Sequence, residues 1–237
     1  MKTLVAVATC HPYLKIRADG QRETWVGVGA RDVDVKFFVG QPHTISVPDD
    51  TVQLNCPDSY EGRKAKVKEM FRWALDHGYD RLVKVDDDTY VRPERLASLG
   101  EMDYGGFSIT QKFFWGGVWL YTKPTILGAF YVVSKRAMGV LLGPDLHPEI
   151  AFEDLWCSMQ LMSNGISMTD LRPRLGYCLY DSVPPPPDFP NQTQPLATNN
   201  IVASWEYRGF SEMMRTHLDF CFSEMKQTLK GRSLIRY

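Results

Sequence analysis

A short apolar run that ends in three adjacent carboxylates, Leu82-Val83-Lys84-Val85-Asp86-Asp87-Asp88-Thr89-Tyr90-Val91, limits the folds open to this chain. Neighbouring acids repel one another and resist desolvation, so packing alone does not favour them beside aliphatic residues. A divalent cation removes the repulsion, because hard ions such as Mg²⁺ and Mn²⁺ take oxygen ligands. A strand end is the place for such a cluster, since open α/β sheets bind ligands outside the carboxyl ends of their strands.

The flanking pattern supports an α/β fold. Leu4 to Ala8 is continuous and apolar, as in a buried parallel strand, and Thr9 to Gly20 reads as a polar loop. A short helix is expected near Gln21 to Trp25, a second strand over Val33 to Val39 and a third within Val47 to Cys56. The clearest helix runs from Gly62 to His77, where Val67, Met70, Phe71, Ala74 and Leu75 recur at helical spacing and Gly78 supplies the cap. Strand, strand, helix, strand in this order is a βαβ-type nucleotide-binding arrangement. Further on, a short helix is expected at Glu94 to Leu99, a strand at Phe130 to Ser134, and helices over Lys135 to Leu142, Leu155 to Met162 and Ser211 to Lys226. Ser182 to Pro195 is proline-rich and reads as a surface loop.

Bulk properties exclude some classes. At 237 residues a single domain is expected, with the nucleotide-binding pattern in residues 1–100 and the rest, to the C-terminal helix, in 101–237. A net charge of −1 argues against a protein held on nucleic acid mainly by charge. The five cysteines are widely spaced without Cys-x-x-Cys, so reduced thiols are expected rather than a zinc site or disulfide framework. No window approaches a membrane span, and the N-terminal apolar run is too short for a signal peptide. A cytoplasmic protein is expected, with the sequon Asn191-Gln192-Thr193 unused.

The acid triplet has several readings. An aspartyl-phosphate phosphatase needs Asp-x-Asp-x-Thr, but Thr89 falls one position early and Tyr90 occupies the threonine's place. Tyr90 and Val91 break an EF-hand loop. A solvated charged turn is the bland reading. The Asp-x-Asp metal motif of nucleotide-sugar glycosyltransferases fits best, with the metal bridging the donor diphosphate and stabilising it as it leaves.

The flanks narrow this further. Asp58-Ser59-Tyr60, then Lys66, Trp73 and Asp86-Asp87-Asp88, follow in a spacing that resembles the inverting β-1,3-galactosyltransferases and Fringe-type enzymes of glycosyltransferase family 31. Arg22-Glu23-Thr24-Trp25 resembles the family's Arg-x-Thr-Trp, and Phe37-Phe38-Val39-Gly40 its second strand. Gly128-Ala129-Phe130-Tyr131-Val132-Val133-Ser134 resembles its glycine-led strand, and Phe152-Glu153-Asp154-Leu155 its Glu-Asp-Val element. These marks cover about residues 4 to 165.

The resemblance implies a GT-A fold, a Rossmann-like mixed sheet flanked by helices. It implies inverting transfer from a UDP-sugar, with Mn²⁺ or Mg²⁺, to a hydroxyl acceptor on a glycan, glycolipid, protein or modified nucleobase. Asp88 and Asp86 are the implied metal ligands. Thr9, Arg22, Asp58, Lys66, Asp86 and Asp87 are donor-side positions. Asp154 is the implied base, with Glu153 orienting it; inverting chemistry independently needs a carboxylate away from the metal to deprotonate the acceptor. Acids at a helix start also answer the helix dipole alone, so that reading stays open. Lys66 reads equally as a solvated helix residue, and Arg22 as part of a structural ion pair. Trp25 and Trp73 read as core. Trp115-Gly116-Gly117, in the aromatic stretch Phe113 to Tyr121, reads as an acceptor wall or as core. The family's downstream metal-binding His has no counterpart here, and Glu206 is a possible substitute. Two rival functions are a non-catalytic nucleotide-sugar-binding domain of the same fold and an Asp-based phosphatase.

Overall fold

The computed structural model describes residues 1–29, 32–41, 46–110, 112–115, 118–121, 124–171, 176–177 and 197–199. β1 (Thr3–Ala8) is followed by a run of short helical turns from His11 to Val26, including the single α-turn α1 (Asp19–Gln21). Then come β2 (Val33–Gln41), β3 (Thr51–Pro57), helix α2 (Arg63–Asp76), β4 (Arg81–Asp86) and β5 (Tyr90–Val91). A 3-10 segment, Pro93–Leu99, leads to β6 (Tyr104–Ile109), β7 (Lys112–Trp115), β8 (Val118–Tyr121) and β9 (Thr125–Ser134). Helices α3 (Lys135–Leu141) and α4 (Glu153–Ser163) and the short strands β10 (Thr169–Asp170), β11 (Gly176–Tyr177) and β12 (Ala197–Asn199) complete the described elements.

The main sheet has seven strands in the order β10-β6-β9-β4-β1-β2-β3. β1 lies parallel to both β2 and β4, whereas β9 is antiparallel to β4 and β6, so the sheet is mixed. The chain steps outward from β1 to β3, and α2 then carries it back to β4 on the other side of β1. This reversal opens a crevice beyond the carboxyl ends of β1 and β4.

Strand alternation divides the core between the two faces of the sheet. Leu4, Leu82, Tyr131 and Val133 join α2, α3 and α4 on one face, through Val67, Met70, Phe71, Met138, Trp156 and Leu161. Val5, Val7, Val83, Val85 and Val132 face the other way, onto Trp25, Leu96 and Leu99. The expected helix face is confirmed: Val67, Met70, Phe71 and Ala74 are buried, and Gly78 adopts φ +74° after the helix end. Trp25 is core as expected, and Trp73 packs partly buried against the core, edge-on to Phe38.

One expectation is corrected. The Thr9 to Gly20 stretch is largely helical, because Ala18, Trp25 and neighbouring apolar residues cover the second face of the sheet. Its polar composition hid the few contacts that hold it there. Among the described residues Cys10, Cys56 and Cys157 are free thiols. Cys178, Cys221, the sequon at Asn191, the proline-rich loop, Glu206 and the expected helix over Ser211 to Lys226 lie outside the described residues. Among the described residues no helix is long and apolar enough to cross a membrane.

A cluster at Asp145 fixes α4 against α2. Trp156 Nε1 donates to Asp145 Oδ1 at 2.8 Å, and Lys64 and Lys68 pair with its Oδ2 at 3.0 and 3.1 Å. Both lysines also lie over the Trp156 ring. Burial pushes the Asp145 carboxyl up, but the hydrogen bonds from Trp156, Lys64, Lys68 and the His147 backbone outweigh it and hold the group well below the usual carboxylate range. Its native form therefore binds its proton less readily than its unfolded form. The stability it contributes is complete above the unfolded carboxyl value of about 3.9 and is lost as pH falls below it. Asp145→Ala strands the Trp156 N–H and should cost roughly 2 kcal/mol near neutrality. In urea melts the gap between variant and parent should narrow between about pH 4 and pH 2.5. A gap independent of pH would assign the loss to packing instead.

Gly40 ties the sheet edge to the crevice. A Cβ there would lie 2.6 Å from the carbonyl oxygens of both Cys56 and Pro57. Since these are backbone atoms, β3 itself would have to move. Gly40→Ala should cost about 1–3 kcal/mol, and an unchanged thermal midpoint would show that β3 yields freely.

Candidate active site

The crevice at the ends of β1 and β4 is a cleft of about 500 Å³. Thr9, Asp58, Lys66, Asp86, Asp87, Asp88 and Glu153 all line it. These residues come from separate segments between positions 9 and 153, so the chain reversal at α2 and the return of β9 to β4 are what assemble them.

The acid triplet sits on a turn closed by Thr89 N donating to Asp86 O at 3.1 Å. Gln21 Nε2 donates to the carbonyls of Asp86 and Thr89 at 3.2 and 2.8 Å and holds the turn from below. Each carboxylate then has a different environment. Asp86 Oδ1 accepts from Lys84 Nζ at 2.5 Å, and its side chain remains 41% exposed. Asp87 is buried and accepts from Thr9 Oγ1 at 2.8 Å and Arg17 Nη1 at 2.7 Å. Among the described residues the cation nearest to pairing with Asp88 is Arg17, at 4.0 Å. Burial, and after it the charges of Asp86 and Asp87, push the Asp88 carboxyl up to about 7.

This arrangement fits a divalent ion held by few protein oxygens. Asp87 is committed to Thr9 and Arg17, which leaves Asp88, with the half-open Asp86, to meet a cation. Among the described residues no group of three or more His, Cys, Asp or Glu forms a complete metal cage. Mg²⁺-type sites commonly use one or two carboxylates, with phosphate and water supplying the rest.

Asp58 and Lys66 build the opposite wall. Lys66 is 5% exposed and is not a solvated helix residue. Its Nζ donates to Thr9 O at 2.6 Å and Asp58 Oδ1 at 2.7 Å. Asp58 also accepts from Gly40 N at 2.7 Å and His11 N at 2.8 Å. The pair pins the loop after β1 to the ends of β2 and β3.

Arg22 lies elsewhere. Its guanidinium forms a two-pronged pair with Asp50, both distances 2.8 Å, reaches Asp19 at 2.8 Å and stacks on Phe37. It is absent from the cleft lining, so the structural ion-pair reading is the one observed. Arg17 is the cleft's arginine near the acids, stacked on Tyr13. Nothing in the pattern Lys15-Ile16-Arg17 singled it out; recognising the segment as helical would have placed it facing β4.

Glu153 and Asp154 begin α4 as expected, but their surroundings differ. Glu153 is 5% exposed, accepts from Tyr131 Oη at 2.7 Å and lies 3.6 Å from Lys84 Nζ. Burial pushes its carboxyl up, with Lys84 opposing. Asp154 is half-buried; its Oδ1 accepts from Leu155 N at 2.8 Å and its Oδ2 from Gly128 N at 3.3 Å. Gly128 packs close to the pair: a Cβ there would sit 3.0 Å from Glu153 Oε2 and 3.5 Å from Asp154 Cβ, so the Glu153 carboxylate would have to shift slightly. Trp115 lies in β7, opposite Val118 of β8, while Gly116 and Gly117 fall outside the described residues.

Residues 21–127 match the family model described as Galactosyltransferase. Among solved structures, the chain resembles one titled "Crystal structure of a glycosyltransferase involved in the glycosylation of the major capsid of PBCV-1". The TM-score is 0.53 at 14% identity, covering 90% of this chain and 99% of that one. No curated protein matches the sequence. The family match supports sugar transfer as the reaction class, and the structural likeness supports the fold.

Proposed function

We propose that this chain, galactosyltransferase-like over residues 21–127, is an inverting, metal-dependent glycosyltransferase that moves a hexose or N-acetylhexosamine from a UDP-sugar to a hydroxyl acceptor. The observation that carries this reading is the gathering of Asp86, Asp87, Asp88, Lys66 and Glu153 around one cleft, with Asp154 next to it in sequence. We take residues 1–237 as one GT-A domain, the first hundred forming the donor half; β4 and β9 join the two halves through one sheet.

The nucleotide end of the donor belongs against Thr9 and the Asp58–Lys66 pair. That pair is internally neutralised, so it shapes the wall and orients the Thr9 carbonyl rather than offering a free charge. Arg17, held by Asp87 and 4.0 Å from Asp88, is the cation placed to meet a diphosphate. Mn²⁺ or Mg²⁺ on Asp88 and Asp86 would supply Lewis-acid stabilisation of the departing diphosphate. Asp154 takes the proton from the acceptor hydroxyl as it attacks the anomeric carbon from the face opposite the diphosphate. It suits this role better than Glu153. Glu153 already accepts a hydrogen bond from Tyr131 and faces a buried ammonium, whereas Asp154 is oriented by two backbone N–H groups and is more open. Trp115, Gly116 and Gly117 are assigned to the acceptor side, where an aromatic face would stack on a sugar ring or base.

The test is a panel of UDP- and dTDP-sugars, assayed by calorimetry and by donor hydrolysis with Mn²⁺, Mg²⁺ or a chelator. Binding of one UDP-sugar that disappears with chelator is the expected result. Binding without turnover against any hydroxyl acceptor would indicate a binding domain. Phosphate release from simple esters, with no nucleotide binding, would indicate a phosphatase.

A further inference from the structure

Lys84 has no role in the scheme above, yet it lies at its centre. It sits on β4 two residues before the acid triplet and is 3% exposed. A buried ammonium costs several kcal/mol unless its protons are taken up. Its three donors face three different elements. Two are used, by Asp86 Oδ1 and by the Gly128 carbonyl, both at 2.5 Å. The third faces Glu153 Oε1 at 3.6 Å, close enough for an ion pair and too long for a hydrogen bond.

The groups that orient the base pair meet at the same point. Gly128, whose carbonyl Lys84 holds, donates its N–H to Asp154. Tyr131, opposite Lys84 in the β4–β9 register, donates its hydroxyl to Glu153. Among the described residues Lys84 is the cation paired with both Asp86 and Glu153.

The geometry points to Lys84 as a positioning residue that couples the donor-side carboxylate Asp86 to the Glu153–Asp154 pair. This rests on the reading that the cleft binds a nucleotide sugar with a divalent ion. Positive charge arriving at Asp86 competes with Lys84 for that carboxylate. The ammonium then moves toward Glu153, and a shift of about 0.7 Å is enough to make a hydrogen bond of ordinary length. Donor binding is thereby passed to the start of α4, where the base stands.

The experiment is calorimetric titration of UDP, with Mn²⁺ present, into four proteins: parent, Glu153→Gln, Lys84→Gln and the double variant. Glu153→Gln removes the negative charge that competes with Asp86 for Lys84, leaving Asp86 and the neutral Gly128 carbonyl to hold the ammonium, so UDP–Mn²⁺ affinity should fall three- to tenfold. In the Lys84→Gln background the same substitution should shift affinity less than twofold. Equal shifts in both backgrounds would overturn the coupling and leave only a direct field effect of Glu153.

If Lys84→Gln does not fold, Tyr131→Phe tests the same link with Lys84 intact. Losing the Tyr131 hydroxyl makes Glu153 draw Lys84 more strongly and frees Asp86, so UDP–Mn²⁺ should bind more tightly. No shift, or a weakening, would overturn the proposal. A parent protein that fails to bind UDP would sink the functional reading, and this inference with it. A parent that binds, with additive variants, would sink this inference alone.

Discussion

Asp154→Asn should lower sugar transfer by about 10²- to 10⁴-fold, the usual contribution of a positioned base, while UDP affinity stays within about twofold. The substitution keeps the shape of the side chain and its carbonyl oxygen can still accept from the Leu155 or Gly128 N–H. What it removes is the capacity to take a proton. Among the described residues its hydrogen bonds go to Leu155 N and Gly128 N rather than to the acid triplet or Lys66, so donor binding has no reason to weaken. Glu153→Gln is the informative control. Its effect should be smaller on turnover and should include the change in UDP affinity described above, because Glu153 acts through Lys84. Should Glu153→Gln abolish turnover while Asp154→Asn retains it, the base and its neighbour exchange roles.

Asp88→Asn should weaken Mn²⁺-dependent UDP binding on the order of 100-fold or more. Among the described residues Asp88 is the carboxylate of the three without a close cation, so its charge is the one left for the proposed metal. The same substitution should leave the metal-free protein as stable or slightly more so, by a few degrees at most in thermal midpoint. Burial and two neighbouring carboxylates disfavour the charge on Asp88, and an amide relieves that repulsion. Loss of the Mn²⁺-induced rise in midpoint, together with an unchanged or higher metal-free midpoint, is the signature expected. A variant that keeps full metal-dependent UDP binding would mean that the ion is held elsewhere. Asp87→Asn should behave differently: it loosens Thr9 and Arg17, and so lowers stability as well as binding.

Much of the framework around the cleft was legible in the sequence because it depends on local periodicity. The α2 face, the Gly78 cap and the abrupt end of β4 in acids are properties of short windows. The start of α4 at Glu153 was legible for the same reason. Arg17 was not, because its segment lacks a helical apolar period of its own and folds onto the sheet through a few residues such as Ala18 and Trp25. Arg22 was drawn toward the donor by motif alone, and only the position of Asp50, 28 residues away, shows where its guanidinium goes. Lys66 reads as a surface lysine on any helical wheel; its burial depends on Asp58 and the Thr9 carbonyl arriving from two other segments.

The acid triplet at a strand end, by itself, already marked the place where the proposed donor site would lie. Three adjacent carboxylates after an apolar run repel one another, and water, protonation or a cation must offset that. Only the tertiary structure decided how the three divide the work. Arg17 and Thr9 take Asp87, Lys84 takes one oxygen of Asp86, and Asp88 is left open. It also decided that the second carboxylate pair, 65 or more residues later, is joined to the first through one buried ammonium. The physical reason is range. Electrostatic need is written in neighbouring residues, but the partners that meet it come from strands and helices distant in the chain, and only the folded sheet brings them within bonding distance.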